Sequence, residues 1–172
     1  FYRQEVLGEY LDIHGSLVYW AFRRSEHVQA CGLRTDLPLL WALDFNVDPM
    51  CSIIAQTDGE TVWVLEEIVL SRATTAEACE EFLARFPQHR AGVVVYGDAT
   101  GGYGKTTGAS DYQIIRECLR RAGYEKVSFR VPRANPPVRE RVGLVNAKLG
   151  SASGEKRLFI SPRCRELIKD LE

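Results

Sequence analysis

Three β-rich runs, Leu39 to Phe45, Met50 to Gln56 and Thr61 to Leu70, succeed one another with only Asn46-Val-Asp-Pro49 and Thr57-Asp-Gly59 between them. Connections that short cannot carry a crossover, so the runs are expected to pair as an antiparallel meander. Beyond Leu70 the pattern changes in kind. Residues 74 to 86 place Ala78, Phe82 and Phe86 at helical spacing behind Thr74 or Thr75 as N-cap, which predicts one helix. Strands and helices then alternate: strand Gly92 to Gly97, helix Ser110 to Ala122, strand Lys126 to Val131, helix Pro137 to Leu149, a short strand Arg157 to Ile160, and a helix from Pro162 to the end.

A three-strand meander joined through a helix to further, parallel strands is the order of the ribonuclease H-like fold. The expectation is therefore an α/β domain with a mixed sheet and helices on both of its faces. With 45% apolar residues in a chain of 172, one domain with a substantial core is expected. Residues 1 to 34 have little periodicity and are assigned to a linker or edge segment, leaving 35 to 172 as the domain. A first residue Phe1 rather than Met predicts further chain ahead of it.

In the ribonuclease H-like arrangement the first and fourth strands are neighbours, and each of these two ends on an acid. The runs are Leu-Leu-Trp-Ala-Leu-Asp44 and Val-Val-Val-Tyr-Gly-Asp98. An ionised side chain closing an apolar strand is costly unless it is paired or binds a cation. Two such strand ends side by side make a cradle of hard oxygen donors suited to Mg2+ or Mn2+. A pair of ions held in this way hydrolyses phosphodiesters by activating water and stabilising the leaving oxygen. Glu66 and Glu67 interrupt the third strand on opposite faces, and Glu67 is the one assigned to the site.

Charge is divided unevenly along the chain. Residues 1 to 104 carry a net charge of -8 and residues 105 to 172 a net charge of +7. A basic second half beside an acidic centre suits a polyanion, and Lys105, Arg133, Arg139 and Arg141, in loops or at helix starts, are the candidate phosphate contacts.

The segment Ala99-Thr-Gly-Gly-Tyr-Gly104-Lys105-Thr106 matches a relaxed phosphate-loop pattern. A phosphate loop leads directly into its helix, whereas here three residues separate Thr106 from the cap at Ser110. The next strand also lacks the magnesium-binding acid that nucleotide hydrolysis uses. A nucleotide hydrolase centred on Lys105 remains an alternative, as does a catalytically silent binding or assembly module.

Five scattered cysteines without a C-x-x-C pair exclude a disulfide scaffold or zinc knuckle by pattern. No apolar run approaches the roughly 18 residues that span a bilayer, so no membrane partner is expected. His14, His27 and His89 lack ligand spacing.

The segments Phe-Tyr-Arg-Gln-Glu-Val-Leu-Gly-Glu-Tyr10, Leu-Asp44-Phe-Asn-Val-Asp-Pro49, Gly97-Asp98-Ala-Thr-Gly101, Ser110-Asp-Tyr112, Arg141-Val-Gly-Leu-Val-Asn146 and Leu167-Ile-Lys-Asp-Leu-Glu172 resemble large terminase subunits of tailed bacteriophages. The likeness covers nearly the whole chain and is to their C-terminal nuclease domain. It implies a ribonuclease H-like metal-dependent endonuclease that cuts concatemeric duplex DNA during packaging in the cytoplasm of an infected bacterial host. The small terminase subunit and the portal or capsid would be partners of the full-length protein, and an ATPase motor would precede Phe1. By the same resemblance Asp44 and Asp98 match two metal-binding acids. The third is placed by that family on a later helix in a His-x-x-Asp-Ala setting, which is not found up to Glu172. The resemblance puts it beyond Glu172, with Asp170 or Asp111 as substitutes within the chain.

Overall fold

The computed structural model describes residues 17–46, 48–102 and 108–172. Its elements, in chain order, are α1 (Arg24–His27), β1 (Leu39–Asp44), β2 (Met50–Asp58), β3 (Thr61–Leu70), α2 (Thr75–Arg85), β4 (Val93–Gly97), a 3-10 turn (Ala99–Gly102), α3 (Asp111–Arg121), β5 (Val127–Arg130), α4 (Val138–Leu149), β6 (Leu158–Ile160) and α5 (Arg165–Leu171). They form one mixed sheet in the order β5-β4-β1-β2-β3-β6. The meander β1-β2-β3 is antiparallel, while β4 joins β1, β5 joins β4 and β6 joins β3 in parallel.

Alternation along the strands sorts the core into two layers. Leu39, Trp41, Leu43, Ile54, Leu65 and Ile68 face α2 and α3, where they bury Phe82, Ile115 and Leu119. Trp41 and Phe82 stack with ring centroids 4.2 Å apart. Ala55, Val64 and Ile160 face the other way, against Leu149 of α4 and Ile168 and Leu171 of α5. Two of the helices start where local chemistry demands. Thr74 with Glu77, and Ser110 with Gln113, form reciprocal capping boxes that satisfy the first free N–H groups of α2 and α3.

The segment ahead of β1, expected as a linker or edge, packs onto α4 and β6. Asn146 of α4 accepts from the Ala21 N–H at 3.1 Å and donates to the Val18 carbonyl at 3.0 Å. His27 is fully buried, with Nε2 2.7 Å from the Leu149 carbonyl, and Val28 bridges to Ile160 in parallel. These contacts anchor α4 from the side opposite its basic first turn.

Candidate metal centre

Parallel pairing of β1 with β4 runs in register from Leu39 with Val93 to Leu43 with Gly97. The next position on each strand is an acid, Asp44 on one and Asp98 on the other. Leu39, Trp41 and Leu43, like Val93 and Val95, turn toward α2 and α3. Strand alternation therefore directs Asp44 and Asp98 together to the face covered by α4 and α5.

Each carboxylate is held by an asparagine amide. Asn46 Nδ2 donates to Asp44 Oδ2 at 2.9 Å, and Asn135 Nδ2 donates to Asp98 Oδ1 at 2.7 Å. The Asn135 Oδ1 also accepts from the Ala99 N–H at 3.0 Å. Behind the acids, the Tyr112 hydroxyl donates to the Asp98 main-chain carbonyl at 2.6 Å. Burial, then the charges of Asp98 and Asp111, push the Tyr112 phenol up to about 12, so it stays a donor. Phe45 meets Tyr112 edge to face at 5.2 Å. Gly97 makes this close packing feasible, since a Cβ there would stand 2.5 Å from the Tyr112 hydroxyl and 3.2 Å from the Leu43 carbonyl.

Electrostatics at the pair favour a cation. Although the Asp44 side chain reaches solvent, partial burial at the strand end raises its carboxyl above the ordinary range, and the charge of Asp98 raises it further. Arg141 opposes both. The acidic field extends across β2, where Cys51 pairs with Asp44 in register. Burial first, then Asp44, Asp170, Glu67 and Glu166, push the Cys51 thiol up. Two oxygen-donor side chains that repel each other and lie on rigid strand ends fit a hard divalent cation. Among the described residues, no set of three His, Cys, Asp or Glu side chains converges as a complete cage.

Other residues expected at the site take different places. Glu67 makes contacts unlike those of a metal ligand: Oε1 accepts from the Glu166 N–H at 3.0 Å and Oε2 from the Leu167 N–H at 2.9 Å. It thus caps α5, whose own N-cap residue, Cys164, gives no side-chain cap. Asp170, on the same helix, acts on Cys51. Asp111 is buried at the start of α3 and accepts from Thr75 Oγ1 at 2.5 Å, which ties α3 to α2. Arg133 is exposed in the loop after β5, and Arg139 and Arg141 are exposed on the first turn of α4. Lys105 and Thr106 lie outside the described residues. The helix after them begins only at Asp111, capped by Ser110, which separates the glycine-rich loop from the helix N-terminus a phosphate loop requires.

Asn135 is the site residue that sequence reasoning passed over. Its neighbours Pro136 and Pro137 mark a turn, but nothing local in the sequence says that its side chain crosses to another loop.

Sheet order, register and paired acids together define a ribonuclease H-like α/β domain with a carboxylate pair at the ends of β1 and β4. Neither a protein-family model nor a curated protein sequence matches the chain. Solved structures do, and the fold they share with this chain is that of large terminase nuclease domains. A full-length large terminase from a thermophilic bacteriophage superposes with a TM-score of 0.61 at 18% identity, over 99% of this chain and 40% of that one. The P22 large terminase nuclease domain gives 0.63 at 13% identity, over 91% of this chain and 78% of the other. The large terminase nuclease of the thermophilic phage G20c, solved with bound magnesium, gives 0.55 at 11% identity, over 92% and 80%. The chain thus spans about two fifths of the first of these proteins and most of each separate nuclease domain.

Proposed function

We propose that this chain is the nuclease domain of a DNA-packaging terminase, a divalent-metal-dependent endonuclease that hydrolyses phosphodiester bonds of concatemeric duplex DNA. The observation that carries the reading is the in-register meeting of Asp44 and Asp98 at the ends of adjacent parallel strands. The magnesium bound in the G20c nuclease, a domain of the same fold, supports it.

In this reading Asp44 and Asp98 hold Mg2+ or Mn2+, as two ions in the complete site. Bound cations supply activation of the attacking water and charge stabilisation at the leaving oxygen. The chain's own residues do the rest. Asn46 and Asn135 fix the carboxylates, Tyr112 fixes the Asp98 main chain, and Arg141 stands close enough to lower the Asp44 carboxyl. Arg141, with Arg139, Arg133 and Lys105, binds backbone phosphates and so places the scissile bond over the acids. Duplex DNA is the substrate. The small terminase subunit and portal or capsid are partners of the whole protein, which acts in the cytoplasm of an infected bacterium. No described helix is long and apolar enough to cross a membrane.

A catalytically silent DNA-binding module is the second reading, favoured by the lack of a third converging acid among the described residues. Nicking of supercoiled plasmid in millimolar Mn2+ separates the two. Wild-type chain nicks, and Asp44→Ala and Asp98→Ala do not, with circular dichroism unchanged. Equal nicking by either variant removes the acids from the chemistry, and DNA binding without nicking by the wild type establishes the silent module.

A further inference from the structure

We propose that Asn135 is a positioning residue that locks Asp98 to the loop carrying the phosphate-binding arginines, so that the metal ligand and the DNA contacts are held as one unit. This rests on the reading of Asp98 as a metal ligand. The loop between β5 and α4 contains Arg133 and leads straight into the turn of α4 that carries Arg139 and Arg141.

Asparagine ahead of a helix would ordinarily spend its side chain on capping. Here α4 begins behind Pro137 with no side-chain cap, and Asn135 instead reaches a residue 37 positions away. Both ends of the amide are used. Nδ2 donates to the Asp98 side chain, and Oδ1 accepts from the main chain of the very next residue, Ala99. The Ala99 N–H can only donate, so it fixes which end of the amide is oxygen and leaves Nδ2 for the carboxylate. One amide plane thereby sets the torsion of the Asp98 side chain and the start of the 3-10 turn together.

The arrangement suits metal binding. A carboxylate oxygen has two lone pairs, so a donor at Asp98 Oδ1 orients the group without using up its capacity for a cation. Residues that hold a ligand in this way typically change metal affinity 10- to 100-fold when removed. Pro136 and Pro137 stiffen the segment that links Asn135 to α4. By contrast, Asn46 holds Asp44 from only two residues away and ties it to no other element.

The test is Mn2+ titration of the chain, read by the electron paramagnetic resonance signal of free Mn2+, without DNA. Asn135→Ala is expected to weaken Mn2+ binding about tenfold. Pro136→Ala, which loosens the same loop and touches neither hydrogen bond, is expected to bind as wild type. In plasmid nicking at saturating Mn2+, Asn135→Ala should lower kcat more than it raises KM for DNA. Because Asn135 is exposed, the substitution removes no core contact and the fold is checked by circular dichroism. Equal Mn2+ affinity in wild type and Asn135→Ala overturns the role of Asn135 alone, as does an equal loss in Pro136→Ala. A wild-type chain that binds no Mn2+ overturns the metal reading itself, and the role of Asn135 with it.

Discussion

Asp98 faces Asp44 across the β1–β4 pairing and raises its carboxyl above the ordinary range, adding to the effect of burial at the strand end. The sheet brings two like charges to one place, and the opposing charge of Arg141 comes from a helix on the covering layer. An arrangement of this kind costs the folded state something when no cation is present. It is the expected signature of a site shaped for a ligand rather than for stability.

The cost has a definite pH dependence. Because the folded-state pKa of Asp44 is raised, its contribution favours folding below the ordinary aspartate value of about 3.9 and is lost as pH rises through the raised value. Asp44→Asn should therefore melt at a higher temperature than wild type at pH 7 without divalent cations, with the gap closing by about pH 3. Millimolar Mg2+ should raise the wild-type melting temperature and leave that of the variant in place. Equal melting at pH 7 would mean that the two carboxylates do not oppose each other in solution.

Glu67 is expected to matter for stability and not for metal binding. Its two oxygens satisfy the N–H groups of Glu166 and Leu167 at the start of α5. Glu67→Ala should cost about 1 kcal/mol, seen as a fall of roughly 2–4 °C in melting temperature for a domain of this size. Its Mn2+ affinity should stay within about twofold of wild type, since a removed ligand or ligand support would cost tenfold or more. A larger loss of Mn2+ binding at unchanged melting temperature would return Glu67 to the metal.

Gly97→Ala tests the packing behind the pair. The new methyl group would press on the Tyr112 hydroxyl and the Leu43 carbonyl, and one of them has to move. Overpacking of this kind costs about 1–3 kcal/mol. Because Tyr112 holds the Asp98 carbonyl, Mn2+ binding should weaken in step, whereas Gly108→Ala, with open space around it, should cost less despite its positive φ. Tyrosine fluorescence and Mn2+ titration of both variants would decide it. A Gly97→Ala chain as stable as wild type would show that Tyr112 has slack.

Much of this was legible in the sequence because the controlling signals are local. Short turns after Phe45 and Gln56 force the meander, and the helix starts at Thr75 and Asp111 follow from capping residues next to them. The meeting of Asp44 with Asp98 followed once the strand order was inferred, since register then carries the last residue of one strand to its partner. Glu67 was misleading because alternation gives the face a side chain points to and not what it finds there. It lies on the face of α5, and the nearest unsatisfied groups were N–H donors of that helix. Asn135 was invisible for a similar reason: its partners are in another loop, and only the folded arrangement brings them within reach.

Arg141 and Arg139 share the first turn of α4, yet they should behave differently. Either substitution by alanine removes a candidate phosphate contact, so the slope of log Kd for duplex DNA against log salt should shallow by about one in each. Only Arg141 acts on Asp44, lowering its carboxyl against burial and Asp98. Without Arg141 the Asp44 carboxyl rises further, so the pH at which Mn2+ binding falls to half should move upward in Arg141→Ala and stay put in Arg139→Ala. Mn2+ titrations between about pH 4 and 8, combined with salt-dependent DNA binding, read the two effects separately. A shared pH shift would mean that the charge of the whole helix turn acts on the acids. A shift in neither would mean that Arg141 points away from Asp44 in solution and belongs to the DNA surface alone.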